Sequence, residues 1–286
     1  MNTPRTLAEA LRQAQTQGKD HGLTRLDVQR LMLHALARDP NERAWLLAHD
    51  TDPLPEPAGE RYQALLARHA NSEPMGYLIG EQAFFGLNLQ VDERVLVPRP
   101  DTETLVQWAL ELLDTLPQPP TVLDLGTGSG AIALALKLQR STAAIHASDA
   151  SESALAVARN NAERLALDIT FHTGDWFDAI PGMGFHLIVS NPPYIAEGDA
   201  HLHALRHEPI SALTGGPDGL ADLRRLVDGA PERLHPKGWL LLEHGHDQAE
   251  RVRSLLQARG FEAVTSRNDL AGIARCSGGR WPVGDN

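Results

Sequence analysis

With a single cysteine, Cys276, in 286 residues, the chain has no internal disulfide and no thiolate metal cluster, a usage that belongs to a reducing compartment. No apolar run approaches the ~18 residues that span a bilayer, and the N-terminus carries no charged-then-apolar leader pattern. The expected location is therefore the cytoplasm, with no membrane partner. Positive charge is also short: 26 Lys and Arg against 37 Asp and Glu leave a net charge of −11. A sequence-independent grip on nucleic acid comes from neutralising phosphates, so direct nucleic-acid binding is not expected, although a local arginine face remains open. Internal repeats and low-complexity segments are absent. What is there is globular: 42% hydrophobic and 22% charged residues, in a length that makes one large or two ordinary domains. The chain is expected to act as a monomer.

From Thr6 to about His69 the periodicity is helical. Val28, Leu31, Met32, Ala35 and Leu36 share one face, with Asp27 expected to cap the start; Leu7, Leu11 and Ala14 make a shorter stripe. Asp39-Pro40-Asn41 and the proline run 52–57 break the pattern, and Tyr62, Leu65 and Leu66 resume it. Residues 1–73 thus read as a helical bundle, either a stabilising cap or a docking domain. Between 74 and 100 the period shortens to two around Phe84 to Val91 and Val95 to Val97, which predicts a β-hairpin linker. Asp101 is expected to cap a helix that buries Leu105, Trp108, Ala109 and Leu112. Beyond Thr121 strands and helices alternate, so residues 101–286 predict an α/β domain: a doubly wound, mostly parallel, Rossmann-like sheet that binds ligands at the carboxyl ends of its strands.

Three such ends carry chemistry. After the apolar run 185–189 comes Ser190-Asn191-Pro192-Pro193-Tyr194. Asn191 has an acceptor and a donor on one side chain, and Pro192 forces it towards extended backbone, so its oxygen is aimed. The prolines lack N–H groups, and their carbonyls add acceptors. Two convergent acceptors suit an NH2 group, and Tyr194 is expected to lie against the plane that bears it. After Val122-Leu123 comes Asp124-Leu125-Gly126-Thr127-Gly128-Ser129-Gly130, a glycine loop that opens a helix. Its spacing also satisfies a dinucleotide fingerprint, with Asp149 where a ribose-binding acid belongs. Asp124 favours S-adenosylmethionine, because an acid there would meet a cation but repel a pyrophosphate. Gly174-Asp175-Trp176-Phe177 offers an adenine wall in Trp176, or a core aromatic. His201, His203 and His207 lack a third ligand type nearby, so no metal is expected. Glu243-His244-Gly245-His246 reads as a strand-to-helix turn or as a pocket edge.

Together these residues resemble the protein-glutamine N5-methyltransferases that modify class-1 peptide release factors, over nearly the whole chain. The resemblance extends to Pro98-Arg99-Pro100-Asp101-Thr102-Glu103, Gly174 to Phe177, Glu208-Pro209 with Ala212-Leu213, and Gly216-Pro217-Asp218-Gly219-Leu220. Departures stand at Asp101, Ala150 and His244. The resemblance implies a class I methyltransferase domain and S-adenosylmethionine as cofactor. It implies that Gly126, Thr127, Gly128, Ser129, Gly130, Asp149, Trp176 and Asn191 contact that cofactor. It also implies that Asn191, Pro192, Pro193 and Tyr194 hold the glutamine of a Gly-Gly-Gln loop on release factors. A nucleic-acid amino methyltransferase, acting on adenine N6 or guanine N2, is the alternative, since the same lip suits an exocyclic amine.

Overall fold

The computed structural model describes residues 6–18, 22–180 and 182–283. The chain divides into two compact units, Met1–Glu81 and Gln82–Asn286.

The first unit is helical: α1 (Leu7–Gly18), α2 (Arg25–Ala35), α3 (Arg43–Ala48), α4 (Glu56–Ala70) and α5 (Met75–Ile79). Its core gathers the apolar stripes, with Leu7, Ala14, Val28, Leu31, Met32, Leu46, Tyr62, Leu65 and Leu78 buried. Burying a phenol requires a partner for its hydroxyl, and Tyr62 donates to the Val28 carbonyl at 3.2 Å. The start of α2 differs from expectation. Thr24 is the cap and Asp27 sits three residues on, closing a reciprocal capping box; a hydroxyl before the helix reaches the free N–H groups, while Asp27 reaches back to Thr24.

The second unit opens with a hairpin, β1 (Glu81–Phe84) and β2 (Leu87–Gln90), then a 3₁₀ turn over Pro100–Thr102 and α6 (Glu103–Leu113). Val95 to Val97 form no strand. The hairpin is integral to this unit: buried Asn161 accepts from the Gln90 amide at 2.7 Å and donates back to its carbonyl at 3.0 Å. Asp101 makes no helix cap; its carboxylate pairs with Arg275 at 3.2 Å. An ion pair with a half-buried guanidinium outcompetes a cap on amides already turned into the 3₁₀ segment.

There follow β3 (Thr121–Leu125), α7 (Ala131–Gln139), β4 (Ala144–Asp149), α8 (Glu152–Leu165), β5 (Thr170–Thr173), β6 (Phe185–Ser190), α9 (Ala221–Gly229), β7 (Leu234–Glu243), α10 (Ala249–Arg259), β8 (Glu262–Asn268) and β9 (Ala274–Arg280). The strands form a seven-stranded sheet in the order β5-β4-β3-β6-β7-β9-β8. Pairs from β5 through β7 are parallel, and β9 joins β7 and β8 antiparallel. Side chains alternate between the faces. Val122, Ile145, Leu187, Val189 and Leu241 pack with α6 and α7. Leu123, Leu125, Ile188, Leu240 and Leu242 pack with α9 and α10. Each such side chain contributes about 1.5–3 kcal/mol of burial, which holds the three chemical strand ends in fixed register.

Candidate active site

The carboxyl ends of β3, β4 and β6 lie side by side, since Leu125 pairs with both Ser148 and Ser190. Above them opens a cavity of about 580 Å³, within the ~300–1,000 Å³ typical of small-molecule sites. Its wall includes Gly126, Thr127, Gly128, Ser129, Asp149, Trp176, Asn191 and Pro193. The structure thus brings together most of the residues singled out from sequence.

The β3 end supplies main chain. Gly126 has φ +69°, and a Cβ there would lie 3.2 Å from the Trp176 ring, so glycine serves both the turn and the close approach. Asp149 accepts the Gly128 amide on Oδ2 and the Ser151 amide on Oδ1, each at 2.9 Å. A carboxylate has about four lone-pair positions, so two remain for hydroxyls in the cavity. Burial, opposed by those two amides, raises the Asp149 pKa. Trp176 is held by its indole N–H, which donates to Asp222 Oδ1 at 3.1 Å. Asn161 donates to the Ser129 carbonyl at 3.0 Å as well as to β2. These donor sets fit an adenosyl group with hydroxyls, on backbone glycines and one acid.

Asp124 and Gly130 stand off the cavity wall. Asp124 is completely buried and accepts from Thr127 Oγ1 at 2.6 Å and from the Ala133 amide at 3.2 Å. Through these two bonds it braces the loop from beneath, and its Oδ1 has no hydrogen-bond partner among the described residues. Burial pushes its pKa up to about 7.

The β6 end supplies side chain and lip. Asn191 Nδ2 donates to Thr102 Oγ1 at 3.2 Å, and both residues face the cavity. Pro192 is buried and Tyr194 half-buried behind the lip. The Tyr194 ring packs on the core formed with α9 and α10, and its hydroxyl donates to Glu243 Oε1 at 3.4 Å. Apolar surroundings and the neighbouring carboxylate raise the tyrosine pKa.

The glycine-rich run after Glu208 buttresses this lip. Ile195 donates to the Leu213 carbonyl at 2.9 Å, and Gly215 to the Ile195 carbonyl at 3.0 Å. At Gly219, φ +70°, a Cβ would fall 2.3 Å from the Tyr194 carbonyl oxygen. Gln248 Nε2 donates to that same oxygen at 3.0 Å. Buried Glu208 accepts from the Val97 amide at 3.1 Å and pairs with Arg99, so the Pro98-to-Glu103 run and the Glu208-Pro209 run meet at one carboxylate. The site contacts of Thr102, Asp222, Asn161 and Gln248 were not foreseen from sequence. Their partners lie 32 to 89 residues away, so no local pattern announces them. His201 pairs with Asp199 at 2.7 Å on an exposed 3₁₀ turn, and no group of three metal-ligating side chains occurs among the described residues.

This parallel sheet with its antiparallel β9, its glycine loop and the acid one strand over are those of a class I methyltransferase. A methyltransferase from Pyrococcus furiosus superposes with a TM-score of 0.54 at 21% identity, over 70% of this chain and 92% of that one. The catalytic domain of hMettl16 gives 0.57 at 16%, over 81% and 82%. At such identities the likeness establishes the fold. Residues 108–213 match the family model "Methyltransferase small domain" and residues 9–80 the "PrmC N-terminal domain". The release factor glutamine methyltransferase of Bordetella pertussis is 52% identical over 91% of this chain and 96% of its own length. That of Burkholderia pseudomallei is 47% identical over 99% and 100%. The chain belongs to the release factor glutamine methyltransferase family.

Proposed function

We propose that this enzyme transfers a methyl group from S-adenosylmethionine to the side-chain amide nitrogen of the glutamine in the Gly-Gly-Gln loop of class-1 peptide release factors. One observation carries the reading: Asn191 sits on the wall of the cavity that the glycine loop and Asp149 also line, with its Nδ2 committed to Thr102. Its Oδ1 is then the atom left to accept from a substrate NH2. Bound S-adenosylmethionine supplies an electrophilic methyl on a sulfonium. The backbone of Gly126 to Ser129 and the spare lone pairs of Asp149 would hold the adenosyl part, and Trp176 would wall its base.

An amide nitrogen is a poor nucleophile because its lone pair is delocalised into the carbonyl. The Asn191 oxygen and the Pro192 carbonyl accept its two N–H bonds, which raises electron density on nitrogen and fixes its direction of attack. Alignment of this kind can supply ~7–11 kcal/mol of barrier reduction. The reaction disperses positive charge, so a water-poor cavity favours it. No strong base is required beforehand, and the proton leaves to water. This reading includes a cytoplasmic, monomeric enzyme that recognises protein and not nucleic acid; the net charge of −11 supports the last point.

The test is transfer of labelled methyl from S-adenosylmethionine to a purified release factor with its loop glutamine intact or replaced. Label on the intact factor alone is the expected result. Label on tRNA or DNA, or on the factor that lacks the glutamine, overturns the reading.

A further inference from the structure

We propose that Asp222 is a positioning residue for the cofactor's base: it takes the indole N–H of Trp176, holds that ring as the wall against which adenine packs, and so sets cofactor affinity without touching turnover. The inference rests on the role given to Trp176 above.

Trp176 sits where a side chain needs holding. It follows β5 and Gly174-Asp175, and its backbone stands at φ +46°, in the left-handed region that residues with a Cβ seldom enter. Such outliers persist where the surroundings over-determine them, and they gather at ligand clamps. One constraint is Gly126, where an added Cβ would lie 3.2 Å from the benzo end of the ring. That contact limits where the ring can go, but it does not say which way the N–H points. An indole only donates, so the acceptor it finds decides its orientation. The acceptor is Asp222 Oδ1 at 3.1 Å.

Asp222 belongs to a face of α9 that grips the whole turn. The successive residues Asp175, Trp176 and Phe177 meet Arg225, Asp222 and Gly229 in that order, and positions 222, 225 and 229 share one side of a helix. Arg225 pairs with Asp175 at 2.6 Å and stands 3.9 Å from Asp222 Oδ1. Gly229 lets Phe177 approach so closely that a Cβ there would fall 2.6 Å from its ring. Trp176, Asp222 and Arg225 all line the cavity. The Arg225–Asp175 pair is half-exposed on both sides, and pairs of that kind contribute little. The Asp222 side chain is 19% exposed, so its bond to Trp176 is the better shielded of the two. An acid in the first turn of α9 also suits the helix dipole. A carboxylate facing solvent would serve the dipole equally well, so the dipole does not account for the bond to Trp176; the cavity wall does.

The experiment titrates S-adenosylmethionine by calorimetry into Asp222→Ala, Asp222→Asn, Trp176→Phe and Trp176→Ala, and measures kcat for each with purified release factor. Asp222→Ala is expected to raise the cofactor Kd about tenfold, with kcat at saturating cofactor within about threefold of the parent. Asp222→Asn, which keeps an oxygen acceptor, brings Kd back to within about threefold of the parent. Trp176→Phe keeps a ring but loses the N–H, and in that background Asp222→Ala costs nothing further. A purely structural Asp222 would lower Tm and leave Kd alone. If Asp222→Ala binds within about twofold of the parent while Trp176→Ala loses the cofactor, the positioning role is wrong and the wall stands. If Trp176→Ala binds as the parent does, the reading of Trp176 beneath the proposal falls. Should Asp222→Ala fail to fold, Trp176→Phe decides alone, because it leaves α9 intact and a Kd within about twofold of the parent contradicts the proposal.

Discussion

The β3 end and the β6 end of the sheet are neighbours in register, yet they are built in opposite ways. At β3 the cavity wall is main chain: glycines carry the turn, and Asp124 works from beneath through Thr127 and Ala133. At β6 the wall depends on one amide, whose Nδ2 donates to Thr102 of the 3₁₀ turn. Backbone donors need no orienting, since the fold fixes them. A lone side chain does, and its accuracy depends on the partner it bonds. One half should therefore govern binding and the other turnover.

The largest effect expected is at the side-chain half. Asn191→Ala should lower kcat by roughly a thousandfold or more, by loss of both acceptance and alignment, as measured by single turnover with release factor. Next comes the binding half: Asp149→Ala should weaken the cofactor about 10- to 100-fold by calorimetry, and an unchanged dissociation constant would remove Asp149 from the adenosyl site. Smaller is a pH effect on folding. Burial raises Asp124 from 3.8 and Glu243 from 4.5, each to about 7. The folded protein thus holds protons that the unfolded chain releases. The stability this confers is full below the unfolded values and is lost as pH rises through about 7. Denaturant titrations between about pH 4 and 8 should show that decline, and Asp124→Asn should flatten it. The smallest effect belongs to an exposed ion pair far from both halves. Arg140→Ala breaks the 2.8 Å contact with Asp114 and should move Tm by no more than about 1 °C.

How much was legible in advance follows the same division. The βαβ alternation, the glycine loop, Asp149 and the Asn191 lip were readable because each is local: a strand's period, then a short polar run. Asp124 was readable as a residue, but sequence does not show that Thr127 and the Ala133 amide bond to it. Tyr194 likewise belongs to the lip by sequence and to the core by packing. Thr102 lies within the run from Pro98 to Glu103, but its bond to Asn191 spans 89 positions, and Glu243 reads as part of a strand-to-helix turn or of a pocket edge. The caps failed for a related reason: Thr24 and Asp27 act as a pair, and Asp101 is claimed by Arg275 from β9.

The separation of the two halves is tested most directly by titrating S-adenosylmethionine into Asn191→Ala by calorimetry. The account predicts a dissociation constant within about threefold of the parent in a protein that no longer transfers methyl. Loss of cofactor binding in that variant would contradict it, because the lip would then be part of the binding half.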